Sequence, residues 1–307
     1  MQFSIVIANV ATMLAYILCG FLIIKGRKGE TAHAHTVAGI LVYVCGPSMI
    51  LSAFQNMEYS LRDLGRMGLF FLVTLAVQLV MVGALYLPLH RRYHDARYRL
   101  LTIAAVMGNV GFLGLPLAVA LFPGEPIVAC YSTIYSLSMN LIMFTVGVYL
   151  LTEDKRYISL RAAILNPTTL SIALALPLYL LRVRLPGRML DVVALLGRMT
   201  TPLCMFILGI RLAGANLGKL IRQPFAYVGS GLKLIVFPLL AYLCVYFIPG
   251  LDGAFKACVL VMSAMPSASL ILSMAELHRT EQETSANILL ISTLLSVITI
   301  PLVLSIL

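Results

Sequence analysis

Apolar segments of about 20 residues recur along this chain from end to end, and this recurrence constrains its fold more than any other feature. A transmembrane α-helix needs about 20 consecutive apolar residues to cross the hydrocarbon core of a bilayer. Ten such segments lie at residues 3–24, 36–56, 67–88, 100–122, 127–151, 159–181, 190–212, 224–248, 254–277 and 285–306. Because the loops are short and hold no soluble insertion, the sequence predicts a single all-α, polytopic membrane domain.

The composition agrees with a membrane protein rather than a soluble one. Hydrophobic residues make up 61% of the chain and charged residues 11%, whereas soluble domains carry about 25% charged residues. The formal net charge of +10 would suit a nucleic-acid partner, but the basic residues lie in short loops between the apolar segments. A lipid bilayer is therefore the expected environment, and no nucleic acid is expected to bind.

The distribution of Lys and Arg among the loops predicts an orientation. With ten spans, alternate loops lie on opposite sides of the membrane, and one side carries about twice as many Lys and Arg residues as the other. The basic side is expected to be cytoplasmic, which places both termini outside. The first span is followed by Lys25, Arg27 and Lys28, and we interpret it as a retained helix rather than a cleaved signal peptide.

Prolines indicate an internal repeat. Three pairs lie about half a chain apart: Pro47 and Pro202, Pro116 and Pro266, and Pro88 and Pro238. Five spans per half would invert the second half relative to the first, because the number is odd. The sequence therefore predicts a first five-helix repeat over residues 1–151 and a second, inverted five-helix repeat over residues 152–307.

Two spans, the fourth and the ninth, are interrupted at corresponding places, 107–116 and 263–269. Proline lacks an N–H and clashes with the preceding turn, so each helix is expected to break, with a new half-helix beginning near Pro116 and near Pro266. Helix N-termini offer free N–H groups and a positive dipole end, which together bind anions. A matching interruption in each half is a pointer to the substrate site of a secondary transporter.

These interruptions supply most of the candidate binding residues. The predicted substrate-binding residues are Asn109, Gly111, Gly114, Pro116, Asn140, Pro266, Ser267 and Ser269. Two half-helix N-termini meeting near the midplane would attract a carboxylate without a fixed positive charge. The competing interpretation is that both segments are merely kinked and that the glycines permit close helix packing. Asn140 could face the site or bond to a neighbouring helix, and the sequence leaves both open.

Lys233 is a charge inside the eighth span. Placing a lysine at the centre of a bilayer costs roughly 2.5–3.5 kcal/mol, so a partner or a water-filled cavity is expected. Lys233 could act as a substrate counter-ion or a proton-linked group, or it could pair with a carbonyl. No Asp or Glu lies clearly at mid-membrane, so the coupling ion, Na⁺ or H⁺, stays open.

The sequence resembles the auxin efflux carrier family, and within it the bacterial malonate and malate permease-like members. The likeness covers nearly the whole chain and rests on Gly46-Pro47, the stretch from Asn109 to Pro116, Asn166-Pro167, Thr201-Pro202 with Leu208-Gly209, Lys233-Leu234 with Pro238-Leu239, Met265-Pro266-Ser267-Ala268, and Ser292-Thr293-Leu294-Leu295 with Pro301. In the plant branch an Asn-Pro-Asn motif lies at the first crossover. Here Leu115 and Leu117 flank Pro116, so contacts specific to auxin are not transferred.

The resemblance implies ten helices in two inverted five-helix repeats, with broken helices four and nine crossing each other. It also implies an elevator mechanism, in which the crossing helices move against a scaffold of spans one, two, six and seven. Substrates of the family are organic anions, auxin in plants and small carboxylates in bacteria. A homodimer in a bacterial cytoplasmic (inner) membrane is the corresponding expectation.

The leading functional hypothesis is a carrier of a small carboxylate such as malonate or malate, with no cofactor. A sodium- or proton-coupled transporter of related fold is the alternative, and a passive channel ranks below both. An enzyme ranks last, because the five histidines lie in or beside loops and form no catalytic or metal motif. The six cysteines lie inside apolar segments without metal-ligand spacing. Neither a catalytic residue nor a metal site is predicted.

Overall fold

A computed structural model describes residues 2–122, 124–214 and 223–306, which form helices joined by short loops. In the first half of the chain the helices are α1 Gln2–Lys25, α2 Ala34–Gln55, α3 Leu61–Leu89, α4 Ala96–Val106, α5 Val110–Leu121 and α6 Ile127–Thr152. In the second half they are α7 Leu160–Ile164, α8 Pro167–Leu180, α9 Gly187–Arg198, α10 Thr200–Gly214, α11 Pro224–Tyr246, α12 Gly253–Ser263, α13 Ser269–Leu277 and α14 Gln282–Leu304.

The lengths of these helices fit a membrane protein. Within the described residues, seven helical stretches are long and apolar enough to cross a membrane: Ala34–Gln55, Leu61–Arg92, Ile127–Thr152, Lys155–Leu180, Gly187–Gly214, Pro224–Tyr246 and Gln282–Leu304. Three shorter apolar helices are Ala11–Lys25, Val110–Leu121 and Gly253–Ser263. The prediction of an all-α polytopic membrane protein is confirmed, whereas the division into repeats 1–151 and 152–307 stays a prediction.

Proline explains three local irregularities of the helices. A π-helical turn ends two residues before a proline in α2, α5 and α11, where Pro47, Pro116 and Pro238 follow the turns Leu41–Cys45, Val110–Gly114 and Leu232–Val236. A proline has no N–H to donate to the carbonyl four residues earlier, and its ring crowds that carbonyl. The wider turn accommodates both effects without ending the helix.

The helices pack in two groups. The first group contains α1, α2, α8, α9 and α10, and the second contains α3 to α6 and α11 to α14. In the first group α1 and α10 approach closely at Gly20 and Gly209: a Cβ on Gly20 would overlap the carbonyl oxygen of Phe206, and one on Gly209 would overlap that of Ile17. Small residues at such crossings let two membrane helices meet backbone to backbone.

Stacked aromatic rings hold the centre of the second group. The Phe70 and Tyr131 rings lie parallel with centroids 4.4 Å apart, and Phe255 meets Phe70 edge-on at 4.8 Å. All three side chains are buried. Because Phe70, Tyr131 and Phe255 come from α3, α6 and α12, their packing fixes the helices that surround the breaks in the chain.

Candidate functional site

The structure brings the two chain interruptions together. Helix α4 ends at Val106 and α12 ends at Ser263, and helical geometry resumes at Val110 and Ser269. Between these ends the two segments pair in antiparallel fashion: the Asn109 N–H donates to the Pro266 carbonyl at 2.7 Å, and the Ala268 N–H donates to the Met107 carbonyl at 3.1 Å. We call residues 107–109 and 264–268 the crossing.

The positions of the helix starts correct the sequence expectation. Helix α5 begins at Val110 with the π-helical turn, six residues before Pro116. Helix α13 begins at Ser269, three residues after Pro266. The Pro266 carbonyl accepts the hydrogen bond from Asn109 in the crossing. The half-helices expected near Pro116 and Pro266 are present, but neither proline is the first residue of its half-helix. Pro116 widens a turn inside α5 rather than opening it, and Pro266 lies in the non-helical backbone that pairs with the other break.

A lysine holds the opposite ends of the broken helices. The Lys233 ammonium is fully buried and donates to the carbonyl of Ser263 at 2.9 Å and to that of Val106 at 3.3 Å. These carbonyls belong to the last residues of α12 and α4, which carry the negative ends of two helix dipoles. The ammonium also lies 4.3 Å from the centroid of the Phe237 ring. Of the roles that the sequence left open, pairing with carbonyls is the one observed.

Ser267 also belongs to the crossing. Its hydroxyl donates to the Ala104 carbonyl at 3.1 Å, and its N–H donates to the Ser292 hydroxyl at 3.2 Å. The residue is 1% exposed. Because both of its donors are engaged inside the protein, Ser267 ties α4 and α14 to the crossing, and the prediction that it binds substrate does not agree with its position.

A cavity of about 200 Å³, which we call the crossing cavity, lies between the two groups of helices. Its walls come from α2, the start of α5, the middle of α6, the start of α8 and the start of α13. The polar side chains on its wall are Asn109, Ser132, Thr133, Ser136, Asn140, Asn166, Thr168, Ser269 and Ser273. The lining residues carry no formal charge, so charge recognition in this cavity depends on the backbone and on charged groups behind the wall.

Two helix N-termini open into this cavity. The first turn of α5 contributes Gly111 and Phe112 to the wall, and the first turn of α13 contributes Ser269 and Leu270. Neither helix has a side-chain hydrogen bond at its N-cap. The Val110 N–H donates to the Gly108 carbonyl at 2.8 Å, and the Ile271 N–H donates to the Ala268 carbonyl at 3.1 Å. The other first-turn N–H groups have no acceptor within their own helix, and those of Gly111, Phe112, Ser269 and Leu270 lie at the cavity wall, where a ligand can accept from them. Two positive dipole ends facing one small cavity make an anion site.

Comparison with known proteins finds similarity to membrane transporters. A family model described as "Membrane transport protein" matches residues 155–304. The chain is 27% identical over 305 residues to an uncharacterized transporter of Methanothermobacter thermautotrophicus, covering 96% of each chain. It is 26% identical over 275 residues to an uncharacterized transporter of Methanocaldococcus jannaschii, covering 88% of each. The matched family model and the two relatives support a membrane transporter of the auxin efflux carrier family. Its family and relatives are transporters, so it is a multi-pass membrane protein and not an enzyme.

Four of the residues proposed from the sequence line the crossing cavity of this transporter: Asn109, Gly111, Asn140 and Ser269. For Asn140 both of the options that the sequence left open hold, since the residue lines the cavity and its side-chain amide also donates to Asn166 Oδ1 at 3.4 Å. The remaining sequence candidates lie elsewhere. A Cβ on Gly114 would contact the Met262 and Met265 side chains, so this glycine serves helix packing.

Sequence reasoning missed the contribution of α8. Asn166 accepts a hydrogen bond from the Thr168 N–H at 2.9 Å and so caps α8, which begins at Pro167. Asparagine at the N-cap followed by proline at the first helical position is a strong helix-start signal. That signal marks a helix N-terminus at Asn166, but no local signal shows that this end lies beside the breaks that precede the distant helices α5 and α13.

A second cavity of about 450 Å³ adjoins the crossing cavity. Along α2 the crossing cavity extends from Val42 to Ile50, and the second cavity extends from Met49 to Asn56. Met49 and Leu115 line both. Pro116, proposed from the sequence as a substrate contact, lines only the second cavity. The two cavities thus follow one another along α2, with Met49 and Leu115 at their boundary.

Proposed function

We propose that this transporter carries a small organic anion, a carboxylate such as malonate or malate, in the crossing cavity. The observation that carries the proposal is the convergence of two uncapped helix N-termini, those of α5 and α13, on one uncharged cavity. Positive dipole ends favour an anion and disfavour a cation at this place. The Lys233 ammonium, behind Gly108, adds to the positive potential of the wall.

A dicarboxylate suits the arrangement better than a monocarboxylate. Two N-termini face the cavity, so each can receive one carboxylate, while the amide of Asn140 and the hydroxyls of Ser136 and Ser269 offer further hydrogen bonds. The volume of about 200 Å³ favours a compact substrate over a large aromatic one. Because no lining residue is charged, binding depends on oriented backbone donors, which are fixed before the substrate arrives.

We further propose ten membrane passes in two inverted five-helix repeats, 1–151 and 152–307. In this arrangement α4 with α5 and α12 with α13 each form one interrupted pass. The two packing groups support an elevator mechanism: α1, α2, α8, α9 and α10 correspond to the scaffold, and the helices around the crossing form the moving part. Because the two cavities succeed each other along α2, a shift of the second group past Met49 would transfer the substrate from one to the other.

With the basic loops in the cytoplasm, the start of α8 and the crossing cavity lie on the cytoplasmic side. The second cavity then faces outward, and both termini are outside. We propose a bacterial cytoplasmic membrane as the location and a homodimer formed through the scaffold group as the assembly.

Uptake into proteoliposomes tests the function. Radiolabelled malonate, malate and a neutral solute of similar size are offered under an imposed sodium gradient, a proton gradient or no gradient. Saturable uptake of the carboxylates, with none of the neutral solute, is the expected result. Flux that rises linearly without saturation would instead indicate a channel. Equal flux of the neutral solute, or no carboxylate flux under any gradient, would contradict the proposal.

A further inference from the structure

The crossing joins helix ends of both signs. On the cavity side lie the N-termini of α5 and α13, and on the other side lie the C-termini of α4 and α12, at Val106 and Ser263. Each helix C-terminus carries the equivalent of about half a negative charge on its unsatisfied carbonyls. Two such ends side by side in an apolar interior need a positive charge between them.

In transporters built from broken helices, half-helix C-terminal ends can coordinate a free cation such as sodium. Here the Lys233 ammonium occupies the position between the two ends, 2.9 Å from the Ser263 carbonyl and 3.3 Å from the Val106 carbonyl. The side chain reaches this place from α11 and is completely buried. The ammonium has three N–H donors and donates to two carbonyls, while the face of the Phe237 ring lies against its remaining side.

We propose that the Lys233 ammonium is a resident cation, tethered in a site that would otherwise bind a free monovalent cation, and that substrate binding and exchange therefore need no sodium. This inference rests on the proposed function of the crossing cavity. In this arrangement the fixed Lys233 side chain takes the place that a free coupling cation would occupy at the crossing.

Other roles for Lys233 fit the contacts less well. Among the residues that the structure describes, no carboxylate pairs with the ammonium. The charged residues of the helices packed around it lie near the first turns of α4, α12 and α14, away from the crossing: Arg97, Arg99, Lys256 and Glu283. A direct contact between Lys233 and the substrate also fits poorly, because Gly108 lies between the ammonium and the crossing cavity. A Cβ on Gly108 would lie 3.1 Å from the ammonium nitrogen.

The test replaces the tethered cation with a free one. Lys233→Ala is compared with wild type, with Lys233→Arg, which keeps a charge, and with Lys256→Ala. Lys256 is a matched control because its ammonium also donates to a carbonyl, that of Tyr246 at 2.8 Å, and also lies over an aromatic ring, 5.5 Å from its centroid. Exchange of labelled for unlabelled malonate is measured in choline, sodium or methylammonium chloride at equal concentration on both sides, so that no gradient drives it.

Wild type is expected to exchange malonate equally in all three salts. Lys233→Ala is expected to lose about tenfold or more in rate in choline, equivalent to about 1.4 kcal/mol, and to recover in sodium or methylammonium. Lys256→Ala should behave as wild type. Sodium-dependent exchange by wild type would overturn the inference, and so would equal exchange by Lys233→Ala in all salts.

Thermal unfolding in detergent separates this inference from the proposed function. The melting temperature of Lys233→Ala should rise with added sodium or methylammonium, because a cation that binds only the folded state stabilises it, while the melting temperatures of wild type and Lys256→Ala should not change. This readout needs no substrate. If wild type carries no carboxylate but the cation response is specific to Lys233→Ala, the function fails and the cation site stands. If Lys233→Ala does not fold, Lys233→Met is measured in its place, and sodium stimulation of wild-type exchange remains decisive.

Discussion

Replacing Ser269 with proline would remove one backbone donor from the proposed anion site while leaving the helix in place. Ser269 is the first residue of α13, where proline is well tolerated because that N–H has no partner within the helix. The preceding residue, Ala268, has φ −74° and ψ 139°, the extended conformation that a residue before proline prefers. The substitution is thus compatible with the backbone at both positions.

The expected effect is a loss of affinity for the carboxylate. A hydrogen bond to a charged group contributes about 1.5–3 kcal/mol. With each 1.4 kcal/mol equal to a factor of ten, losing this donor should weaken binding about 10- to 150-fold. Ser269→Ala is the matched control, since it removes the hydroxyl but keeps the N–H, and it should change the affinity much less.

The assay is saturation of malonate uptake by Ser269→Pro, Ser269→Ala and wild type in proteoliposomes, with the amount of folded protein equalised by size-exclusion chromatography. The apparent affinity should fall in the order wild type, alanine, proline. Wild-type affinity in the proline variant would refute the claim that the N-terminus of α13 binds the substrate. Equal losses in both variants would assign the effect to the hydroxyl instead of the N–H.

Three further substitutions test other parts of the account. Gly209→Ala should lower the free energy of unfolding by about 1–3 kcal/mol, because the added methyl group overpacks α1 against α10, and the melting temperature should fall. Gly83→Ala is the control, since open space surrounds its Cβ position, and its melting temperature should stay that of wild type. Equal melting temperatures of the two variants would contradict the close approach of α1 and α10. Ser267→Ala should lower the free energy of unfolding by about 1 kcal/mol through loss of the hydrogen bond to Ala104, with unchanged apparent affinity for malonate. A loss of affinity without a loss of stability would instead indicate that Ser267 contacts the substrate. Pro116→Ala should restore regular helix in α5 and abolish uptake while the protein still inserts; normal uptake rates would show that the π-helical turn is dispensable.

The sequence predicted the features that depend on local chemistry. The length of the apolar segments predicted membrane helices, because the bilayer thickness sets that length. The sequence predicted interruptions within 107–116 and 263–269, and the helices break inside both stretches, at 107–109 and 264–268, although Pro116 itself lies within α5. The cost of burying Lys233 predicted a polar partner, and two carbonyls are that partner.

Features that depend on contacts distant in the chain were beyond the sequence. Whether a proline ends a helix or widens a turn is decided by the neighbouring backbone, so the start of α5 at Val110 was missed. The engagement of Ser267 depends on Ala104, far from it in the chain. Likewise, α2 and α8 contribute Pro47 and Asn166 to the crossing cavity only because the two helix groups pack together.

Equilibrium binding to the purified transporter tests the central claim, that two helix N-termini at the crossing bind carboxylates, most directly. Radiolabelled malonate is bound in detergent and displaced with malate, with the half-amide of malonate and with the neutral diamide. We expect saturable binding that malate displaces well, the half-amide less well and the diamide poorly, because the N–H donors and helix dipoles favour charged oxygens. Equal displacement by the diamide, or the absence of saturable binding of any carboxylate, would contradict it.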